Sequence, residues 1–286
     1  MRLLTANKVF LACVSLAILA LLLTPALTHL DHQLIRAQRL INKLQWQMGY
    51  ALPGAPDYSA LNARLAQHGL KLGAPVFVRI FKRDFELELW MKRDGRFHLF
   101  QTYPICKWSG RLGPKLREGD HQSPEGFYTV TNGAMNPDSR WHRSFNLGFP
   151  NTYDRQHGRT GSFLMVHGGC SSVGCYAVTN AAIDEIWTIT KAAFRGGQKR
   201  FHVHAYPFRM TASNIAAAPR SGWSSFWQDL KQGSDAFEHT WLPPRIYNCR
   251  GQYVVTAVDD DASRGAHRIR RHCPPPERRF AASPAG

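Results

Sequence analysis

The hydrophobic period of this chain changes at Pro75, and that change constrains the fold more than any other feature. Before Pro75, residues 31–50 and 59–68 place apolar side chains at helical spacing, and Asp57 can cap the second segment. Beyond Pro75 the period becomes two, which is typical of half-buried strands. The first predicted strands are Val76–Lys82, Glu86–Lys92 and Arg96–Tyr103. The chain is therefore predicted to begin with helices and to continue as a sheet.

Strand signals outnumber helix signals in the rest of the chain. Short apolar runs predict strands over Phe127–Thr131, Ser162–His167, Phe201–Tyr206 and Tyr253–Val258. Helices are predicted after Thr179 or Asn180, either of which can serve as the cap, and over Trp223–Leu230. Residues 104–126 are rich in glycine, proline and charge, which suits a surface loop, and residues 132–161 form a turn-rich stretch. The sum predicts a mostly β fold with helices.

An apolar segment near the N-terminus indicates export. Arg2 and Lys8 precede Val9–Leu23, which carries no charge over 15 residues, and the small residues up to Ala26 suit signal-peptidase cleavage. With the next four residues the uncharged stretch is 19 residues long, close to the length that spans a bilayer. Residues 1–26 are therefore predicted to be a signal peptide or an uncleaved membrane anchor. Both alternatives place the remaining chain outside the cytoplasm.

The composition is that of a globular protein with a large excess of positive charge. Of 286 residues, 44% are hydrophobic and 20% are charged, which excludes a disordered chain, a collagen and a protein with many membrane spans. The formal net charge is +16. Such a charge would suggest nucleic acid as the partner of a cytosolic protein, but export argues against it. An anionic extracytoplasmic polymer or a membrane surface is a better partner.

The cysteines that follow the apolar segment are odd in number. They are Cys106, Cys170, Cys175, Cys249 and Cys273. In an oxidising compartment, an odd number leaves at least one thiol unpaired within the monomer. Cys249 and Cys273 flank the C-terminal region and are a candidate disulfide, whereas the sequence leaves the remaining connectivity open.

The segment 163–176 carries the residues best suited to chemistry. An apolar strand ends at His167, and a glycine-rich loop leads from it to Cys175. A thiolate nucleophile needs a base or a cation beside it, and glycines leave backbone N–H groups free to stabilise an oxyanion. The pattern therefore predicts a cysteine nucleophile with a histidine base. A metal site that also uses His202 and His204 is the main alternative, but the ligand spacing typical of zinc is missing.

Two further residues of this loop have open roles. Cys170 could be a second thiol in the site, a redox partner of Cys175 or a buried thiol. Because short spacings restrict disulfide geometry, we favour the buried or site-lining role. Ser172 could hydrogen-bond the loop or the substrate, or serve only as a turn residue.

The motifs occur in the order found in one enzyme family. His167-Gly168 followed by Ser172-x-Gly174-Cys175 resembles the signature of the YkuD-type L,D-transpeptidases. The upstream stretch 119–128 is similar to the loop and strand that precede that signature. The string from His167 to Ala177, with residues 206–210 beyond it, resembles the YafK-like branch of murein L,D-transpeptidases and lipoprotein–peptidoglycan amidases. The resemblance covers about residues 55–260.

The resemblance implies a periplasmic enzyme with a YkuD-like β-sandwich catalytic domain, N-terminal helices, no cofactor and no metal. Cys175 is expected to attack a meso-diaminopimelate carbonyl of a peptidoglycan stem peptide and to form a thioester, with His167 as base and then acid. Backbone N–H groups around Gly174, Cys175 and Tyr176 are expected to hold the oxyanion. The remaining candidate site residues are Ser172 and Gly168 in the loop, and Glu125, Arg140 and His142 for substrate binding.

The sequence departs from the wider family in two ways. Only eight positions separate His167 from Cys175, and Tyr176-Ala177 replaces the arginine that commonly follows the cysteine. Because the bidentate pairing of arginine with a carboxylate is hard to replace, these departures disfavour ordinary cross-link formation. The YafK-like branch is instead associated with hydrolysis of the bond between peptidoglycan and the C-terminal lysine of the major outer-membrane lipoprotein.

That hydrolysis is the function we predict, with stem peptides and the lipoprotein as partners. One alternative is an L,D-transpeptidase that forms cross-links or attaches lipoprotein, and the second is a non-catalytic cell-wall-binding module. No nucleic-acid partner is expected, and a membrane is contacted only through the N-terminal segment if it stays uncleaved. The predicted organisation is a leader (1–26), a helical segment (27–73), the catalytic domain (74–210), a C-terminal extension (211–261) and a basic, disordered tail (262–286).

Overall fold

The computed structural model describes residues 30–218, 222–256, 269 and 272–275. The predicted leader and most of the predicted disordered tail lie outside the described residues. Within the described ranges, no helix has both the length and the apolar character needed to cross a bilayer. The chain divides into two compact units, residues 1–41 and 42–286. Helix α1 occupies residues 30–47, close to the predicted 31–50, and includes all the described residues of the first unit.

The second unit combines helices with strands. After α1, its helices are α2 (Leu61–Gln67), α3 (Thr152–Gln156), α4 (Asn180–Arg195), α5 (Ala212–Ala217) and α6 (Ser224–Thr240). Its strands are β1 (Val76–Phe81), β2 (Glu86–Arg93), β3 (Arg96–Pro104), β4 (Lys107–Trp108), β5 (Gly126–Thr131), β6 (Met135–Ser139), β7 (His142–Asn146), β8 (Met165–His167), β9 (Tyr176–Ala177), β10 (Arg200–Tyr206), β11 (Arg245–Cys249) and β12 (Gln252–Thr256). These elements confirm the predicted mostly β fold with helices, whereas the domain boundaries stay predictions.

The strands form two five-stranded sheets and one hairpin. The first sheet has the order β3-β2-β1-β10-β5, in which only β1 and β10 run parallel. The second has the order β4-β9-β8-β7-β6, in which only β8 and β9 run parallel. Strands β11 and β12 pair as an antiparallel hairpin. The strand that ends at His167 thus lies in the middle of the second sheet.

Alternating side chains explain how the first sheet is covered on both faces. Phe201 of β10 points towards the second sheet, where its ring lies 5.6 Å from that of Phe145. On the opposite face, the Phe77 ring lies 4.8 Å from the ring of Phe237 in α6. Because both faces are covered, all six residues of β1 are buried. His204 of β10 is also fully buried, with its ring 4.8 Å from that of Phe77, so it is a packing residue.

The structure corrects the surface loop predicted over residues 104–126 and shows regular elements within the turn-rich stretch 132–161. Residues 104–126 include strand β4 and fully buried polar residues such as Ser123 and Glu125, rather than a solvated loop. Residues 132–161 include the β6–β7 hairpin and helix α3. The sequence signal is weak because β6, Met-Asn-Pro-Asp-Ser, lies at a sheet edge and is mostly exposed, so it has no apolar alternation.

Candidate active site

The pairing of β8 with β9 places His167 and Cys175 on one face of the second sheet. Val166 lies opposite Tyr176, and His167 lies opposite Ala177. Val166 and Tyr176 are fully buried in the core between the sheets. Since successive side chains of a strand point to opposite faces, His167 and the residue before Tyr176 point away from that core. Two residues separated in the sequence are thereby brought to the same outer face.

The Cys175 thiol is held by the backbone of the strand beside it. Its Sγ accepts a hydrogen bond from the Met165 N–H at 3.4 Å, and its S–H donates to the Phe163 carbonyl at 3.6 Å. Burial raises the pKa of the Cys175 thiol, while the Met165 hydrogen bond and the positive charge of Lys115 oppose that increase. Cys175 is the free cysteine among the described residues. At rest it is therefore a neutral thiol that needs a base.

The His167 ring is oriented by a backbone carbonyl. Its Nδ1 lies 2.6 Å from the carbonyl oxygen of Gly168, so Nδ1 carries the proton and donates it. Nε2 then carries the lone pair, as a general base requires. Burial lowers the pKa of His167, although the hydrogen bond to Gly168 opposes the decrease, and the ring is neutral at pH 7. The ring of Trp141 stacks over it, with 6.1 Å between centroids.

The two glycines after His167 are required by close neighbours. A Cβ at Gly168 would lie 2.6 Å from Oδ1 of Asn180, which is closer than atoms can approach. A Cβ at Gly169, where φ is +83°, would lie 3.2 Å from the Trp141 ring. The same Asn180 oxygen accepts the Gly169 N–H at 2.8 Å. The Gly-Gly pair therefore lets Trp141 and the start of α4 pack directly against the loop.

Three buried serines fix the backbone of Cys175. The hydroxyls of Ser123 and Ser172 both donate to the Cys175 carbonyl, each at 2.7 Å. Ser172 Oγ also accepts the Cys175 N–H at 3.0 Å and lies 2.9 Å from the hydroxyl of Ser109. Ser172 thus bonds the loop itself. The sequence does not reveal Ser109 and Ser123, because no local pattern links either of them to a residue more than 50 positions away.

The oxyanion donors are not all available in this conformation. The Cys175 N–H is engaged by Ser172. The Gly174 N–H makes no hydrogen bond to any residue that the structure describes, and φ of +104° at Gly174 is a conformation that favours glycine. Tyr176 belongs to β9, between β4 and β8. Of the three predicted oxyanion groups, Gly174 is thus the one that is ready to donate.

Glu125 does not lie where a substrate could reach it. Its side chain is fully buried, and Oε1 accepts hydrogen bonds from Lys82 Nζ at 2.9 Å and from the Gly113 N–H at 2.7 Å. Oε2 accepts from the Trp227 indole N–H at 2.9 Å. The predicted role of Glu125 in substrate binding is therefore wrong. Because both carboxylate oxygens are bonded within the core, this residue stabilises the fold.

The other two predicted substrate contacts lie at the tip of the β6–β7 hairpin, next to His167. The Arg140 guanidinium lies 5.6 Å from the centroid of Trp141, the residue that stacks on His167. His142 Nε2 lies 2.8 Å from Asp184 Oδ1 in α4. The structure thus brings Arg140 and His142 to the histidine side of the site, and their role in substrate binding stays a prediction.

Comparison with known proteins places this geometry in a family. Residues 77–234 match the YkuD family, the L,D-transpeptidase catalytic domain. The chain belongs to the YkuD family. It is 48% identical over 185 residues to the Escherichia coli K12 protein named "Putative L,D-transpeptidase YafK", which covers 65% of this chain and 75% of that protein. The predicted resemblance to YkuD-type enzymes and to YafK is confirmed.

Solved structures similar to this YkuD chain come from other bacteria. A variant of the helical cell shape determining protein Pgp2 from Campylobacter jejuni is 20% identical, with a TM-score of 0.39, over 65% of this chain and 68% of that chain. Bd1075 from Bdellovibrio bacteriovorus is 16% identical, with a TM-score of 0.34, over 58% of this chain and 57% of that chain.

Two disulfides lie in or near the YkuD domain. One joins Cys249 to Cys273, the pairing that the sequence suggested. The other joins Cys106 to Cys170, both buried, so Cys170 is buried as predicted but already paired. The sequence does not reveal this pairing, because 64 positions separate the two cysteines. The bond excludes Cys170 as a disulfide partner of Cys175 in this structure.

A cleft of about 740 Å³ adjoins the Cys175 side of the YkuD site. It is lined by Phe163 and Met165, whose backbone groups contact the thiol, and extends between β5, β6 and the start of α3. Its lining includes Asn136, Asn146 and Arg155. Among the described residues, no cluster of histidine, cysteine or carboxylate side chains could hold a metal ion.

Proposed function

We propose that this YkuD-family chain hydrolyses the link between peptidoglycan and a lipoprotein through a thioester on Cys175. The observation that carries the proposal is the placement of His167. Its Nδ1 proton is bound by the Gly168 carbonyl, and its Nε2 is left as a base on the face that carries Cys175. A base and a thiol on the same face of a sheet are the minimum that acyl transfer requires.

The reaction proceeds in two half-reactions. Nε2 of His167 takes the proton of the Cys175 thiol, and the sulfur attacks the diaminopimelate carbonyl that carries the lipoprotein lysine. The carbon–nitrogen bond breaks, the proton passes from His167 to the leaving amine, and the stem peptide remains as a thioester. Nε2 then deprotonates a water molecule, which attacks the thioester. The stem carboxylate leaves, and the proton returns to the sulfur.

The residues after the nucleophile support hydrolysis. Tyr176 and Ala177 are fully buried in β9, so neither position offers a cation to a substrate. A transpeptidase must hold a second peptide long enough for its amine to attack, whereas a hydrolase needs only water. The absence of an arginine at these two positions therefore favours water as the acceptor.

The second candidate is transpeptidation, and the name of the 48% identical relative favours it. The same thioester would then be attacked by an amine, which forms a new amide. Both reactions would act on peptidoglycan stem peptides, and we propose the periplasm as their location. A non-catalytic wall-binding module is less favoured because it gives no reason for a base and a free thiol on the same sheet face.

The test is mass spectrometry of muropeptides after incubation with the purified full chain. Two substrates are offered, tetrapeptide stems and lipoprotein-linked stems, and Cys175→Ala is the control. We expect release of the lipoprotein remnant with formation of free stems and no dimers. Dimers joined through two diaminopimelates, or exchange of D-amino acids, would establish transpeptidation instead. Release that persists in Cys175→Ala would contradict both.

A further inference from the structure

The cleft beside Cys175 is rich in hydrogen-bond donors. Arg155 is the charged side chain among the described residues that line it, and no carboxylate accompanies it there. Asn136 and Asn146 each use the side-chain oxygen to accept a backbone N–H, from Asp138 and Gly148 respectively. Their NH₂ groups bond to no other described residue. The cleft therefore offers one cation and two amide donors, which suits a ligand rich in carbonyl and carboxylate oxygens.

Arg155 is held in place by its surroundings. It lies in α3, which begins with a capping box between Asn151 and Asp154. Asn151 is tied to β5 by a hydrogen bond from its NH₂ group to the Phe127 carbonyl at 2.9 Å. The Arg155 guanidinium donates to the Pro150 carbonyl, which uses one of its five N–H groups. The remaining donors are thus presented from a rigid element.

The position of the cleft indicates whether it binds the acyl half or the leaving half of the substrate. The proposed acid for the leaving amine is His167, so the leaving half lies at the end of the site occupied by His167 and Trp141. The cleft begins at the other side, where Phe163 and Met165 contact the sulfur. The acyl half of the substrate, which stays on the sulfur as the thioester, therefore extends into the cleft.

We propose that this cleft binds the stem peptide, the acyl half of the substrate, and that Arg155 pairs with one of its carboxylates. This inference rests on the proposed function, because it uses the direction of acyl transfer. Arg155 then determines specificity for stems that keep a free carboxylate, and Asn136 and Asn146 bond the peptide carbonyls.

The kinetic test compares two substrates and three variants of the full chain. The substrates are a stem peptide whose diaminopimelate carbonyl acylates a fluorogenic amine, and the same compound with its stem carboxylates amidated. We expect Arg155→Gln to raise KM about 10- to 100-fold on the first substrate with little change in kcat, and Arg155→Lys to recover part of the loss. On the amidated substrate, wild type and Arg155→Gln should be equal. Arg195→Gln, an exposed arginine outside the cleft, is the control and should behave as wild type.

A binding measurement tests the role of Arg155 independently of the proposed reaction. In the Cys175→Ala background, calorimetry with the free stem peptide should show affinity about 10-fold or more weaker when Arg155→Gln is added. This result would support the cleft even if no hydrolysis of lipoprotein links were found. Unchanged KM and affinity in Arg155→Gln, or an equal loss on both substrates, would overturn the assignment of Arg155.

Discussion

The two five-stranded sheets differ in what covers them. The first is covered on both faces, and two buried cations have carboxylate partners: Arg79 pairs with the buried Glu88 and the half-exposed Glu238, and Lys82, directly after β1, pairs with Glu125. The face of the second sheet that points away from the core carries His167, which lies buried under Trp141, and the partly exposed Cys175. A buried charge needs an oppositely charged partner within the protein, whereas a reactive group must keep an atom free to bond to the substrate. The buried ion pairs and the candidate active site thus belong to different sheets.

The largest expected effect is a loss of turnover at the second sheet, with the stability of the first sheet unchanged. Cys175→Ala should lower turnover of lipoprotein-linked stems by at least about 10³-fold, because no thioester can form. The free energy of unfolding should change by less than about 1 kcal/mol, since a partly exposed thiol loses few contacts. Turnover by mass spectrometry and urea denaturation measure the two quantities. A folded Cys175→Ala variant that keeps activity would remove Cys175 from the mechanism.

The second effect is a loss of stability caused by a change in the first sheet. Lys82→Met should lower the free energy of unfolding by about 3–5 kcal/mol, because it leaves Glu125 charged and buried without its partner. The matched control is Lys82→Met combined with Glu125→Gln, which should recover part of the loss because neither charge then remains. Denaturant unfolding monitored by tryptophan fluorescence is suitable. A loss below about 1 kcal/mol would show that the pair does not hold this sheet.

A smaller effect tests the link between the thiol and the serines behind it. Ser123→Ala should lower kcat about 10-fold, because the Cys175 carbonyl loses one of its two hydroxyl donors and the loop shifts. KM should change little, since Ser123 is fully buried and contacts no substrate. The control is Ser171→Ala in the same loop, a residue with no hydrogen bond to the described part of the chain. Equal kcat values for the two variants would contradict a positioning role for Ser123.

The smallest effect concerns the response of the covered sheet to acid. Burial lowers the pKa of His204 well below 6.5, and the charges of His202 and Arg79 act in the same direction. The unfolded chain therefore binds more protons than the folded chain below about pH 6.5, so the free energy of unfolding decreases as the pH is lowered. Relative to His204→Phe, wild type should lose about 1 kcal/mol between pH 7 and pH 5.5. Equal slopes in thermal unfolding across that range would refute this contribution.

A residue's role can be predicted from the sequence when the residues that it contacts lie close to it along the chain. The residues His167 and Cys175 were predicted because strand, glycines and thiol lie within one short segment. Most strands were predicted because apolar side chains alternate along them. The role of Glu125 was missed because Lys82 and Trp227, which bury it, are 43 and 102 positions away. The β6–β7 hairpin was missed because an exposed edge strand needs no apolar pattern.

The Cys106–Cys170 disulfide makes the shape of the loop between His167 and Cys175 depend on the redox state of its surroundings. Cys170 has a φ of +47° and follows the Gly-Gly pair that packs on Trp141. In a reducing environment the loop loses its covalent attachment to the segment before β4. The thiols of Cys106 and Cys170 are then free, and either of them can form a non-native disulfide with Cys175. Oxidation therefore isolates Cys175: among the described cysteines, it is the thiol that is left once Cys106 has joined Cys170 and Cys249 has joined Cys273.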